Sequence, residues 1–404
     1  MSSVDLDKSC ASQKKRVNSK EIGGMLLIAG SCIGAGMLGL PILSGLAGFF
    51  PSLLLFFLSW LFMTVSAYLL VEVMSWYPHQ VNLLTMVEQN LGAWGKILCW
   101  ITYLFLFYAL LVAYISGISN LLLTMFSIPS WAGALFFVLL FGGIVALGVR
   151  AVDLTNRALM VGKLLFFGFL IAMGLPTINL DFLLRSAPTY MLAPLPILVI
   201  AFGFHNMIPS LFGYLQGDIR RLKRTILGGS LLTLALYLIW QILVLGIVPF
   251  PFLLRSLQLG EEASQAMAHV MSSPFLRIFS QGFAFFALLT SFLAQALSLV
   301  HFLADGLKME RKESLFLCML TFVPPLIPAL ISPRLFFAAL NFAGGICAVI
   351  LFGLLPACMV WIGRYYRANT PPVRETMGGR ATLLCTIAFA SFVMILQMFS
   401  MTHG

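Results

Sequence analysis

Two short stretches inside long apolar runs carry the residue types and spacing best suited to chemistry. They are GSCIGAGMLGLP, Gly30–Pro41, and FGFHNMIPSL, Phe202–Leu211. The first holds four glycines within ten residues, Gly30, Gly34, Gly36 and Gly39, and ends on a proline. The second sets glycine, histidine, asparagine and proline in an apolar frame. A helix interrupted in hydrocarbon exposes backbone groups that its own hydrogen bonds no longer satisfy, which costs roughly several kcal/mol per group. Such a break persists where neighbouring helices, water or a ligand satisfies those groups. A half-helix N-terminus offers N–H groups and partial positive charge to a carboxylate. Freed carbonyls suit an ammonium group or a cation, and a zwitterionic amino acid presents both charges. The competing reading is that the glycines only let helices pack closely; a second polar break in a later run weighs against it.

Three ionisable residues fall inside or near the ends of apolar runs. Groups of this kind at membrane depth are rare and usually functional. His205 belongs to the second break and suits substrate or proton work, or a hydrogen bond to a neighbouring helix. Lys163 costs about 2.5–3.5 kcal/mol at a bilayer centre and less near the interface, where it would snorkel to water. Glu72, four residues before Trp76, needs a partner or an interfacial position. Weaker candidates are Tyr108 in an aromatic stretch with Tyr103, Phe107 and Tyr114, Ser291 on one helical face with Gln295 and Ser298, and Asn341 beside Gly344 and Gly345.

The elements that must position these residues are membrane helices. Of 404 residues, 60% are hydrophobic and 9% charged, against about 25% charged in soluble domains. Too few polar groups exist to cover a water-facing surface. A span needs about 20 apolar residues, and eleven runs qualify: 22–48, 52–76, 96–124, 131–149, 158–178, 193–216, 225–249, 275–305, 313–332, 335–363 and 379–402. Polar or Pro/Gly breaks such as Tyr77–Pro78, Pro129, Pro176 and Pro371–Pro372 separate them, with a tight turn expected at Phe50–Pro51. Segments 79–93 and 250–273 each suit a short amphipathic helix. With residues 1–21 as a cytoplasmic tail, 20 of the 24 lysines and arginines fall inside, and only Arg185, Arg255, Arg277 and Arg334 outside. The C-terminus is then outside.

The net charge of +10 is that loop bias and no basic face, so no nucleic-acid partner is expected; lipid is the partner. Seven cysteines show no CxxC or Cys/His spacing, and the five histidines are scattered. No disulfide framework, metal site or cofactor is indicated, and no nucleophile–base pair suggests an enzyme.

Gly34 and Phe204 lie 170 residues apart, and the three runs after each break repeat at offsets of about 173–182. Five spans separate the breaks, so two halves of opposite topology are expected: runs one to five (22–178), then six to ten (193–363), with run eleven (379–402) extra. Inverted repeats whose first helices are discontinuous are a transporter pattern.

The two motifs together resemble the hydroxy/aromatic amino acid permease family, most closely its bacterial tyrosine-specific members, along nearly the whole chain. The resemblance implies an all-α integral membrane protein with a five-plus-five inverted repeat (LeuT-like), as in the amino acid–polyamine–cation superfamily. It implies a bacterial inner-membrane secondary transporter that imports an aromatic L-amino acid by proton symport with alternating access. Tyrosine is favoured; tryptophan, phenylalanine, a broader amino acid range, sodium coupling and a non-transporting sensor remain open. Gly30, Ser31, Gly34, Ala35, Gly36 and Met37 would then surround the amino and carboxylate groups. Phe202, Gly203, Phe204, His205 and Asn206 would form the opposite wall, with Phe204 stacking on the substrate ring. Tyr108, Ser291 and Asn341 complete the expected site. In sodium-coupled relatives of this fold a cation lies between helices 1, 5 and 8; in a proton-coupled relative a lysine on helix 5, here Lys163, takes that place. Glu72 would bond an unwound segment. Lys163, His205 and Glu72 are the candidates for carrying the proton.

Overall fold

The computed structural model describes residues 19–77, 81–309, 315–332, 334–366, 376 and 378–403. The tail 1–18, Pro78 and the Pro371–Pro372 break lie outside the described residues. In chain order the helices are α1 (Ser19–Cys32), α2 (Ala35–Ala47), α3 (Phe49–Met74), α4 (Leu83–Phe126), α5 (Ser130–Ala146), α6 (Val149–Gly174), α7 (Leu180–Leu184), α8 (Leu195–Ala201) and α9 (Ile208–Tyr214). They continue as α10 (Ile219–Ile247), α11 (Phe250–Leu259), α12 (Ala263–Val270), α13 (Pro274–Gly306), α14 (Leu315–Ile331), α15 (Phe336–Phe342), α16 (Leu355–Tyr365) and α17 (Gly379–His403). A wider π-helix, Ala343–Leu354, joins α15 to α16. Among the described residues eight helical stretches are long and apolar enough to cross a bilayer, α8 and α9 counting as one, and the bent pair α1–α2 makes a ninth. The shorter α5 and α14 are also apolar.

The core is a continuous helical interior built around α3, α4, α8, α13 and the π-helix. Large apolar side chains also cover the outside: Leu139 is 74% exposed and Leu154 72%. A patch of that extent is costly in water and favourable in lipid. The motif glycines and their like let helices close up. A Cβ at Gly162 would lie 2.9 Å from the Phe286 ring, which holds α6 against α13.

Several boundaries differ from the sequence expectation. The turn expected at Phe50–Pro51 lies at Gly48, where φ is +94° and a Cβ would meet Arg185 O at 2.0 Å. Pro51 falls in the first turn of α3, where a missing N–H costs nothing. The run expected at 158–178 starts at Val149, because Gly148 at φ +91° ends the preceding helix. Arg150, Asp153 and Arg157 had disguised those first turns as loop; Arg157 pairs with Asp153 at 2.8 Å along the helix. Segment 250–273 forms two short helices, α11 and α12. Within segment 79–93, Leu83 to Leu91 form a short helix as expected, which runs into the rest of α4 through a kink at Gly92; His79 and Gln80 lie outside the described residues.

Candidate functional site

Both motifs are broken helices. The first break falls at Ile33–Gly34, between α1 and α2, with a bend of 59°. The second runs from Phe202 to the 3-10 turn His205–Met207, between α8 and α9. Each leaves carbonyls at the end of the leading half-helix, and two buried side chains from other helices meet them.

Lys163 is one. It stands in the middle of α6, further from the helix end than expected, because α6 begins earlier. It is 1% exposed, so it does not snorkel to water. Its Nζ donates to Gly30 O and Ile33 O, both at 3.3 Å, and to Thr290 Oγ1 on α13 at 3.4 Å. An ammonium has three donors, and all three have acceptors. Thr290 Oγ1 in turn donates to Phe286 O at 2.9 Å. None of the ion pairs found among the described residues includes Lys163. The charge rests on backbone dipoles of a broken helix, as a bound cation would.

Tyr237 on α10 is the other. Its hydroxyl lies 2.7 Å from Cys32 O and 2.6 Å from Ala201 O, sharing one proton between the carbonyl ends of both broken helices. The sequence reading missed this residue; its signal was a phenolic hydroxyl in the middle of run 225–249, between Thr233 and Gln241.

A cavity opens between the breaks. It is lined by Ser31, Cys32, Gly34, Ala35 and Gly36 from the first break, and Ile200, Ala201, Gly203 and Asn206 from the second. Leu106, Leu110 and Tyr114 on α4, Gln295 on α13 and Phe352 on the π-helix complete it. The site thus gathers backbone ends, a few polar side chains and aromatic walls, a combination that suits a small zwitterion with an apolar ring. Ser31 Oγ donates to Ile28 O at 2.7 Å, and Asn206 Oδ1 accepts from Tyr103 at 2.9 Å.

Of the expected site residues, Ser31, Gly34, Ala35, Gly36, Gly203 and Asn206 therefore line one cavity, and Gly30 meets Lys163. Ser291 packs behind Gly34, where a Cβ would come within 2.5 Å of its Oγ. Gly36 also serves the close packing considered above: its Cβ would lie 3.0 Å from Ala201 Cα and Cβ. Met37 and Phe202 are fully buried outside the lining, and Phe202 packs on Tyr237 with centroids 5.1 Å apart. Phe204 and His205 are buried beside the cavity and do not line it. Tyr108 faces away. Its hydroxyl donates to Leu320 O at 2.8 Å, because the α4 stripe that reaches the cavity is 106, 110 and 114. Asn341 sits on α15 with its Oδ1 buried and without a hydrogen-bond partner among the described residues. Glu72 lies outside the site. Its carboxylate takes two bonds of 2.6 Å from Arg364 and one of 2.7 Å from Thr376 N, tying α3 to α16.

A family model described as the tryptophan/tyrosine permease family matches residues 17–397. The chain is similar to the tyrosine-specific transport system 1 of Haemophilus influenzae, at 33% identity over 387 residues, covering 93% of this chain and 96% of that protein. It is similar to the tyrosine-specific transport system 2 of the same organism, at 32% over 394 residues, 94% and 96% of the two chains. A tryptophan-specific transport protein, also from Haemophilus influenzae, is 32% identical over 369 residues, 85% and 87%. The crystal structure of MhsT in complex with L-phenylalanine matches 93% of this chain and 98% of its own with a TM-score of 0.63 at 15% identity, a likeness of fold.

Proposed function

The chain belongs to the tryptophan/tyrosine permease family, a family of multi-pass aromatic amino acid permeases, and from that premise we propose that it imports tyrosine by proton symport. The amino acid sits between the two breaks. Its carboxylate meets the N–H groups of α2 at Ala35 and Gly36, its ammonium meets freed carbonyls, and its ring lies among Tyr114, Leu110 and Phe352. The observation that carries the coupling is the Lys163 ammonium on Gly30 O, Ile33 O and Thr290. Protonated, it holds α1 as a cation would; deprotonated, it loses one donor and its charge, and α1 is released. Alternating access follows if that release lets the two halves rock about the site. His205 and Glu72 play no part in this cycle as proton carriers: one is stacked among rings, the other neutralised by Arg364.

The same reading counts α5 and α14 as spans, giving eleven, with an inverted repeat over 22–178 and 193–363 and an extra last helix. In this reading the N-terminus is cytoplasmic and the C-terminus periplasmic in a bacterial inner membrane, and the lysine and arginine bias supports that orientation.

Proteoliposomes holding the purified protein test this. Labelled tyrosine should accumulate when the outside is made acidic, without sodium, and accumulation should vanish on adding a protonophore. Accumulation that follows a sodium gradient instead overturns the coupling, and no accumulation of tyrosine, tryptophan or phenylalanine overturns the transport reading. Competition by unlabelled tryptophan and phenylalanine ranks the substrates.

A further inference from the structure

We propose that His205 reads the ring hydroxyl of the substrate, from behind a movable partition formed by Phe352. The inference rests on the aromatic substrate proposed above and adds what separates one aromatic amino acid from another. His205 is 1% exposed. Both its ring nitrogens are buried without a hydrogen-bond partner among the described residues. A neutral imidazole carries one donor and one acceptor, and leaving both unused inside a protein demands an explanation.

Its position supplies one. The imidazole stacks on Phe204 at 5.2 Å and on Phe352 at 4.9 Å, the latter nearly parallel at 11°. Phe352 also lines the cavity between the broken helices. Displacing that single ring brings the imidazole into contact with whatever fills the cavity. Phe352 belongs to the π-helix Ala343–Leu354, and such wide turns recur at functional sites. Of the other polar groups nearby, Asn206 Oδ1 accepts from Tyr103, Ser31 Oγ donates to Ile28 O, and Gln295 lines the cavity from α13. Among the described residues, the group that is buried with both polar atoms unbonded beside the cavity is His205. A phenolic hydroxyl both donates and accepts, and matches the imidazole in either tautomer. The benzyl ring of phenylalanine offers neither, and a site built to bond a hydroxyl discriminates strongly against an analogue that lacks it.

The test uses the full-length protein in detergent micelles, with equilibrium binding of labelled tyrosine and labelled phenylalanine. The wild type should prefer tyrosine. His205→Phe, which keeps a planar ring against both neighbours, should weaken tyrosine binding about tenfold or more and change phenylalanine binding less than about threefold. His205→Gln, which can still donate and accept, should keep part of the preference. Phe352→Leu, which opens the partition and leaves the imidazole in place, should raise the tyrosine-to-phenylalanine ratio. A wild type without preference, or variants that move both ligands together or neither, overturns the role of His205 and leaves the transporter reading standing. Absence of binding by either amino acid overturns both.

Discussion

The two broken helices solve the same problem differently. At the first break every carbonyl described above has a partner: Gly30 O and Ile33 O meet Lys163, and Cys32 O meets Tyr237. At the second, Ala201 O shares the Tyr237 hydroxyl, yet both His205 nitrogens lack a partner among the described residues and Asn206 is exposed to the cavity. A buried polar group left unmade costs about 1–3 kcal/mol, so the second break is held less firmly than the first. The first break reads as a preformed cation-like anchor. The second reads as the part that a substrate completes. Removing the anchor should therefore abolish coupling, while changes at the second break should alter choice of substrate.

The largest expected effect is at Lys163. Lys163→Met keeps an unbranched side chain, one atom shorter, and deletes three hydrogen-bond donors, leaving Gly30 O and Ile33 O unpaired in the membrane interior. Losing two or three charge-assisted bonds of about 1.5–3 kcal/mol each corresponds to at least about a hundredfold. Uptake driven by a pH gradient should fall by that much, measured in proteoliposomes against the wild type. If the variant still concentrates tyrosine, the first break is not the coupling element and the contrast between the breaks collapses.

The contrast was only half visible in the sequence. Composition and run length gave the membrane class directly, because no other solvent accommodates such an apolar chain. Glycine and polar residues within long runs marked both breaks, since that pattern has few uses in hydrocarbon. The start of α6 was hidden, because Arg150, Asp153 and Arg157 look like a loop when hydropathy alone is read, although an i,i+4 pair lets them sit on a helix. That error put Lys163 near an interface and made snorkelling plausible. Tyr237, Phe352 and Arg364 were missed for another reason. Each acts through a partner far away in the chain, on Cys32 and Ala201, on His205 and on Glu72, and only the packed helices bring those pairs together. Tyr108 and Tyr114 illustrate the limit of periodicity: it gives faces of α4 and does not say which one meets the cavity.

A smaller effect is expected at Tyr237, whose hydroxyl bonds carbonyls of both breaks. Tyr237→Phe removes a single hydroxyl from between Cys32 O and Ala201 O and leaves the ring packing on Phe202 intact. Stability should drop by about 1–3 kcal/mol, the cost of orphaned buried acceptors, visible as a lower melting temperature of the solubilised protein. Bound tyrosine should recover less of that loss in the variant than it adds to the wild type, because the two sides of the site are no longer tied. Equal stabilisation by ligand in both proteins would show the breaks to be independent.

The smallest effect concerns what flanks the first break alone. The half-helix α2 is packed by α11 and α12, whereas α9 is packed by α3 and α10. Glu262 caps α12: its carboxylate accepts from Ser264 N at 2.7 Å and from the Ser264 hydroxyl, and its own N–H donates to Gln265. It is fully buried, and burial pushes its carboxyl up from 4.5 to about 7, with Glu261 adding to the rise. The charged groups around it are Glu261, paired with His269 at 3.1 Å, and Arg334 beside Gly260. Because the folded state holds the proton more tightly than the unfolded chain, the stabilisation from neutral Glu262 is complete below about pH 4.5. It is lost as the pH rises through about 7. Glu262→Gln fixes the neutral form, so the melting temperature of the wild type should fall relative to the variant between pH 5 and pH 8. Parallel melting curves across the range would mean that α12 does not buttress α2 through this carboxyl, and the first break would then owe its firmness to Lys163 and Tyr237 alone.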